Sequence, residues 1–187
     1  MSELIVIDLE GTCKDDGCGG PMPHGERETI EIGAVIVDAQ SGKELSFFSE
    51  FVRPVRHPVL SNFCTELTGI TQLDVDDARP FREVWVTQFL PWLSGRDEFC
   101  SWGMYDLDQF WRDCSFHQLP IHFRRHCNLS QAYSNSRCGK GKAMRRLGIT
   151  PTGRNHRGLD DARNIASIAV AMIKVGKEIP FLMVNGK

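Results

Sequence analysis

The chain lacks an apolar run long enough to cross a membrane. Its longest apolar stretch near the C-terminal end, Ile165 to Ile173, is broken by Ser167, whereas a spanning helix needs about 20 residues. It also lacks the basic lead-in and small-residue cleavage site of a secretory signal, and its opening apolar segment carries Asp8 and Glu10. A cytoplasmic location with no membrane partner is therefore expected. A paired cysteine framework is missing too. The seven cysteines, at 13, 18, 64, 100, 114, 127 and 138, are odd in number and scattered, which reads as reduced thiols. Cys13, Cys18 and His24 are near enough to raise a zinc site, but the spacing matches no common zinc pattern, and free thiols in a loop explain them as well. Repeats, low-complexity tracts and linkers are absent, so the 187 residues are expected to fold as one domain, 1–187. Large net charge is absent as well: 22 Lys and Arg against 24 Asp and Glu give −2. The molecule as a whole is no magnet for polyanions.

What is present is ordinary in bulk, with 41% apolar and 25% charged residues. It is uneven in detail. From Arg137 to Arg157 there are seven Lys or Arg and no acid. Such a run is either a solvated helix face or a strip that contacts phosphates.

Short β-rich runs come first. Leu4 to Leu9, Thr29 to Val37 and Ser46 to Val52 read as strands of an antiparallel meander, with Cys13 to Gly25 as a Gly- and Pro-rich loop. Helical spacing then appears over Ser61–Leu67, Phe81–Leu93 and Leu107–Phe116, with a short strand at Glu98–Trp102. A basic helix over Gly141–Leu147 and a long one over Leu159–Val175 close the chain. Trp85, Phe89, Trp92 and Trp111 fall at helical spacing and are expected in the core, while Trp102 suits either core or a cleft wall. The pattern is an α/β domain with its strands early.

Three places carry chemistry. Asp8 and Glu10 lie two apart in an apolar strand, so both point to one face. Two adjacent carboxylates repel unless hydrogen-bonded, protonated or bridged by a cation, and hard divalent ions prefer such oxygens. An edge strand with a solvated face would also explain them. Asp106 stands where a strand runs into a helix, a usual position for a site residue, or for a helix cap. His156 precedes the last helix and Asp161 sits near its first turn, while Asp160 suits a simple cap. Near a metal, His is a natural base for water at neutral pH.

In that order, Asp8-x-Glu10, then Asp106, then His156 with Asp161, the sequence resembles the DEDDh family of 3′–5′ exonucleases. Within it the chain is similar to the Eri-type enzymes that act on RNA. The matching segments are Asp8 to Cys13, Phe51 to Pro54, Leu60 to Cys64, Leu67 to Thr71 and His156 to Ala166.

The resemblance implies a ribonuclease-H-like mixed sheet, antiparallel in its first strands and then parallel, flanked by helices. It implies a single exonuclease domain that trims single-stranded 3′ ends of RNA to nucleoside 5′-monophosphates. Asp8, Glu10, Asp106 and Asp161 would hold two divalent ions, Mg²⁺ or Mn²⁺, and His156 would deprotonate the attacking water. Gly11 and Thr12 would lie against the terminal sugar. Asn62 and Phe63 would meet the terminal base, although Phe63 equally fits the core of its helix. Lys140 and Lys142 would track the phosphate backbone. Three rivals stand beside this reading: a DNA exonuclease with the same catalytic set, a non-catalytic nucleic-acid-binding module, and an endonuclease of the ribonuclease H type. The second should have lost a metal ligand, and the third lacks the His156-x4-Asp161 ending.

Overall fold

A computed structural model describes residues 3–14, 22–134 and 138–184. The chain opens with three long strands, β1 (Glu3–Gly11), β2 (Thr29–Asp38) and β3 (Glu44–Arg53), each antiparallel to the next. Two short helices follow, α1 (Asn62–Thr68) and α2 (Gln72–Asp76), then the two-residue β4 (Arg79–Pro80). Next come α3 (Phe81–Val84), a π turn over Trp85–Phe89 and α4 (Leu90–Leu93), which run on as one helical segment. β5 (Glu98–Ser101), α5 (Tyr105–Phe116), β6 (Arg125–Asn128) and α6 (Leu129–Tyr133) continue the chain. It ends with α7 (Lys140–Leu147), α8 (Gly158–Lys174) and β7 (Leu182–Met183).

The seven strands form one sheet in the order β4-β3-β2-β1-β5-β6-β7. β5 and β6 run parallel to β1. Two strands depart from the simple expectation of antiparallel followed by parallel. β4 pairs parallel to β3, and β7 closes the far edge antiparallel to β6. β4 and β7 are two residues each and β6 reads Arg-His-Cys-Asn, so none carries an alternating apolar signature.

Alternation along β1 divides the core. Ile5, Ile7 and Leu9 pack with Ile32, Ala34 and Ile36 of β2 against Trp85, Phe89, Phe99 and Phe110. Trp92 and Trp111 pack on the same cluster, as expected from their spacing. Leu4 and Val6 pack with Val35 and Val37 against Ala162, Ile165, Ala166 and Ala169 of α8. Each of these large apolar side chains contributes roughly 1.5–3 kcal/mol on burial. The even-numbered face of β1 and the odd-numbered face of β2 thus look toward α8. Asp8 and Glu10 continue the first series and Glu31 and Gly33 the second. This register delivers the acidic groups to one place. No helix among the described residues is long and apolar enough to cross a membrane.

Candidate active site

β1 extends to Gly11, so Asp8 and Glu10 both lie within the strand rather than beyond it. β1 pairs with β5 through Val6 and Cys100, and β5 stops at Ser101. Past that point the chain turns through Gly103 (φ 122°) into α5. The Leu9 N–H, left without a strand beside it, donates to Asp106 Oδ1 at 2.9 Å. Asp106 is 4% exposed and is no cap, because Met104 holds that position. Its carboxylate replaces the missing ladder partner and so comes to rest beside Asp8.

Asp161 arrives from the other side. α8 begins against the β1–β2 backbone, and two glycines make the approach possible. A Cβ on Gly33 would stand 1.9 Å from the Gly158 carbonyl carbon, and one on Gly158 would stand 2.9 Å from the Asp8 carbonyl oxygen. Three residues into α8, Asp161 is 3% exposed and accepts the His156 N–H on Oδ2 at 3.1 Å. His156 holds φ +60°, a left-handed conformation unusual for a residue with a side chain. Glu10, His156 and Asp161 offer ligand atoms within 4.8 Å of one another. Asp160 does not cap the helix. It accepts the Arg154 N–H at 2.8 Å and holds the preceding loop.

The electrostatics of the cluster are unfavourable for four bare carboxylates. Burial pushes Asp8 well above the ordinary carboxylate range, and the charges of Asp106, Glu10 and Asp161 add to it. Burial, then Asp161 and Glu31, lift Glu10 to about 8. Burial lifts Asp106 to about 6 against the opposing Leu9 hydrogen bond. The Lys140 ammonium lies against Asp161 Oδ1 and is the ion-pair partner of that buried oxygen. Carboxylate oxygens beside one imidazole nitrogen, with more negative charge than Lys140 offsets, fit hard divalent cations.

The cluster opens into a cleft of about 440 Å³. Phe63 and Leu67 of α1 line it together with Trp102, Tyr105 and Arg27. Phe63 is 38% exposed, so it is not core of its helix. Leu67 lies in a segment that resembles the family, whereas Tyr105 and Arg27 were not singled out as site residues because they come from different elements and belong to none of the matching segments. A separate cavity of about 370 Å³ lies beside Val37, Ala166 and Val170. Its Glu44 and Arg163 pair with each other, leaving it without a comparable acidic cluster.

The expected substrate contacts divide. Lys140 and Phe63 line the cleft, as does Gly11, where an added Cβ would sit 2.4 Å from the Tyr105 hydroxyl. Thr12 is outside the cleft lining: its hydroxyl accepts the Glu28 N–H at 3.0 Å and its own N–H donates to the Glu28 carbonyl at 2.8 Å. Asn62, the first residue of α1, and Lys142 on α7 are both exposed and outside the cleft lining.

The basic run also divides. Lys140 joins the acidic cluster, Arg157 binds Glu31 and Arg154 donates to the Glu66 carbonyl. Lys142, Arg145 and Arg146 stay exposed on α7. Arg137 and Cys18 lie outside the described residues. Of the residues raised for a zinc site, Cys13 is buried in one cluster with Cys64, whose thiol donates to the Gly11 carbonyl at 3.8 Å.

Comparison with known proteins agrees with this geometry. The exonuclease family model matches residues 5–169. A mouse protein named ERI1 exoribonuclease 2 is 34% identical over 92% of this chain, and the match covers 29% of that protein. The rat 3′-5′ exoribonuclease 1 is 32% identical over 94% of this chain and 54% of its own length. The chain thus spans about a third to a half of the curated relatives it matches. Among solved structures, the nuclease domain of 3′hExo, a DEDDh family member bound to rAMP, superimposes with a TM-score of 0.87. It is 30% identical, over 97% of this chain and 96% of that one.

Proposed function

We propose, from the premise that this chain belongs to the exonuclease family, that it removes nucleotides one at a time from the 3′ end of RNA as 5′-monophosphates. The observation that carries this is the convergence of Asp8, Glu10, Asp106 and Asp161 with His156 at one end of a ring-lined cleft. Asp8, Glu10, Asp106 and Asp161 would hold two divalent ions, Mg²⁺ or Mn²⁺. Such ions supply positive charge that polarises a phosphodiester and acidifies water.

The chain's own groups do the rest. His156 takes the proton of the attacking water as its oxygen bonds to phosphorus; the P–O3′ bond breaks, and the O3′ oxygen leaves with the electron pair and takes a proton from solvent. Asp161 holds the backbone that presents His156. Phe63, with Leu67 beside it, offers a face for the terminal base, where a stack is worth about 1–3 kcal/mol. Gly11 lets the chain approach closely beside Tyr105. Lys140, which lines the cleft beside Asp161, would pair with a phosphate oxygen of the substrate. Lys142, Arg145 and Arg146 offer charge to the upstream backbone. RNA is favoured over DNA because the ERI1 relative is named an exoribonuclease and the 3′hExo domain holds a ribonucleotide.

The test is digestion of matched 5′-labelled single-stranded RNA and DNA with Mg²⁺, Mn²⁺ or EDTA. A ladder shrinking from the 3′ end of RNA, abolished by EDTA and by Asp8→Ala, is expected. Faster loss of DNA would move the enzyme to the DNA exonucleases, and loss of neither would overturn catalysis.

A further inference from the structure

Glu31 belongs to none of the motif positions, yet it is 1% exposed in the middle of the site's own sheet. It is the cross-strand partner of Glu10, and directly opposed residues of an antiparallel pair share a face. Its side chain therefore points with Asp8 and Glu10 toward α8. It differs from them in having its partners in place. Oε2 accepts the Gly158 N–H at 2.9 Å and Arg157 Nε at 3.2 Å, and Oε1 accepts Arg157 Nη2 at 3.2 Å. The guanidinium is held on its other side by the Phe51 ring, 5.2 Å away. A carboxylate so engaged is not offering its oxygens to a cation.

The partners of Glu31 are the two residues immediately after His156. Gly158 is the first residue of α8, and the cap residue Arg157 makes no side-chain cap of its own. An N-terminal helix N–H without a cap is a donor in want of an acceptor, and negative charge there is favoured. Glu31 meets both needs from a neighbouring strand. The turn is thus held at two points, by Asp161 on the His156 N–H and by Glu31 on Arg157 and Gly158. A left-handed residue persists only where its surroundings over-determine it.

We infer that Glu31 is a positioning residue for the reaction: through Arg157 and the Gly158 N–H it holds the left-handed turn that presents His156. This rests on the exonuclease reading for its kinetic arm, and one structural arm is independent of it.

Glu31→Gln keeps the shape and one acceptor but removes the charge that holds Arg157. The expected kcat on single-stranded RNA falls about 10–100-fold, the loss typical when the partner that orients a site residue is removed. KM and the affinity for Mn²⁺, read by electron spin resonance, stay at their wild-type values. Glu31→Gln with Arg157→Met is expected to be no slower than Glu31→Gln alone, because both act through one contact. Independently of turnover, the His156 ring signal, assigned among six histidines by its loss in His156→Ala, should shift or broaden in Glu31→Gln. An unmoved ring signal overturns the inference, whether or not the wild type digests RNA. Unchanged kcat overturns it as well. Collapse of Mn²⁺ affinity would make Glu31 a ligand and overturn it too. If the Gln variant fails to fold, Glu31→Asp decides. An intermediate kcat and ring shift support positioning, and wild-type values refute it.

Discussion

The His156 N–H donates to Asp161 Oδ2 at 3.1 Å while His156 holds φ +60°. The proposed base and a proposed metal ligand are thereby locked to each other through the backbone, leaving the imidazole free for the cleft. Loss of the ring is expected to cut kcat by about 10²–10⁴-fold, as for a general base, with Mn²⁺ binding kept. His156→Gly should unfold at a higher temperature than His156→Ala, because only Ala bears the roughly 1–2 kcal/mol of left-handed strain. Equal melting temperatures would show that the turn does not depend on this conformation.

Gly33 is where α8 meets the sheet, with 1.9 Å between an added Cβ and Gly158. Gly33→Ala must push the helix outward, taking Asp161 from Asp8. Overpacking of this kind costs about 1–3 kcal/mol. Thermal unfolding and Mn²⁺ titration should both worsen, and a variant with unaltered Mn²⁺ affinity would contradict this account of the site.

The acidic cluster couples pH to metal. Asp8 is raised well above its ordinary value, Glu10 to about 8 and Asp106 to about 6. Groups raised in the folded state stabilise it fully below their unfolded values, near pH 4, and that contribution fades as pH climbs through 6 to 8. In EDTA the melting temperature should therefore fall over that window through these groups. Mg²⁺ or Mn²⁺ competes with the protons, so the gain in melting temperature on adding metal should be larger at pH 8 than at pH 6. A gain that shrinks with rising pH would rule out binding by these carboxylates.

Lys142, Arg145 and Arg146 are exposed on α7. If they contact phosphates of single-stranded RNA, each neutral substitution should lower the slope of log affinity against log salt by about 0.7, with affinity falling uniformly across sequences. A triple Ala variant with the wild-type slope would leave this face without a role in substrate binding.

Much of the site was legible because its residues sit where periodicity speaks plainly. Two acids in the same register of an apolar strand share one face, and α8 announces itself by its apolar spacing. Elements without that signature were not legible. β6 carries a buried His126 and Cys127 between polar neighbours, and β4 and β7 are two residues each. Thr12 was expected at the terminal sugar from the resemblance alone, and the hydrogen bonds that join it to Glu28 carry no signature in the sequence.

By itself the sequence determined the local chemistry: which strand carries Asp8 and Glu10, which helix carries Asp161, and that His156 precedes it. These follow from spacing along one element. Only the tertiary structure decided distances between elements. Asp106 reaches Asp8 because β5 ends early and leaves the Leu9 N–H to be satisfied. Asp161 reaches it because two facing glycines admit the helix. Lys140, Arg154 and Arg157, alike in a basic run, separate into a site cation, a loop brace and the partner of Glu31. Charge along a chain is one-dimensional, and what each charge does depends on what packing places opposite it.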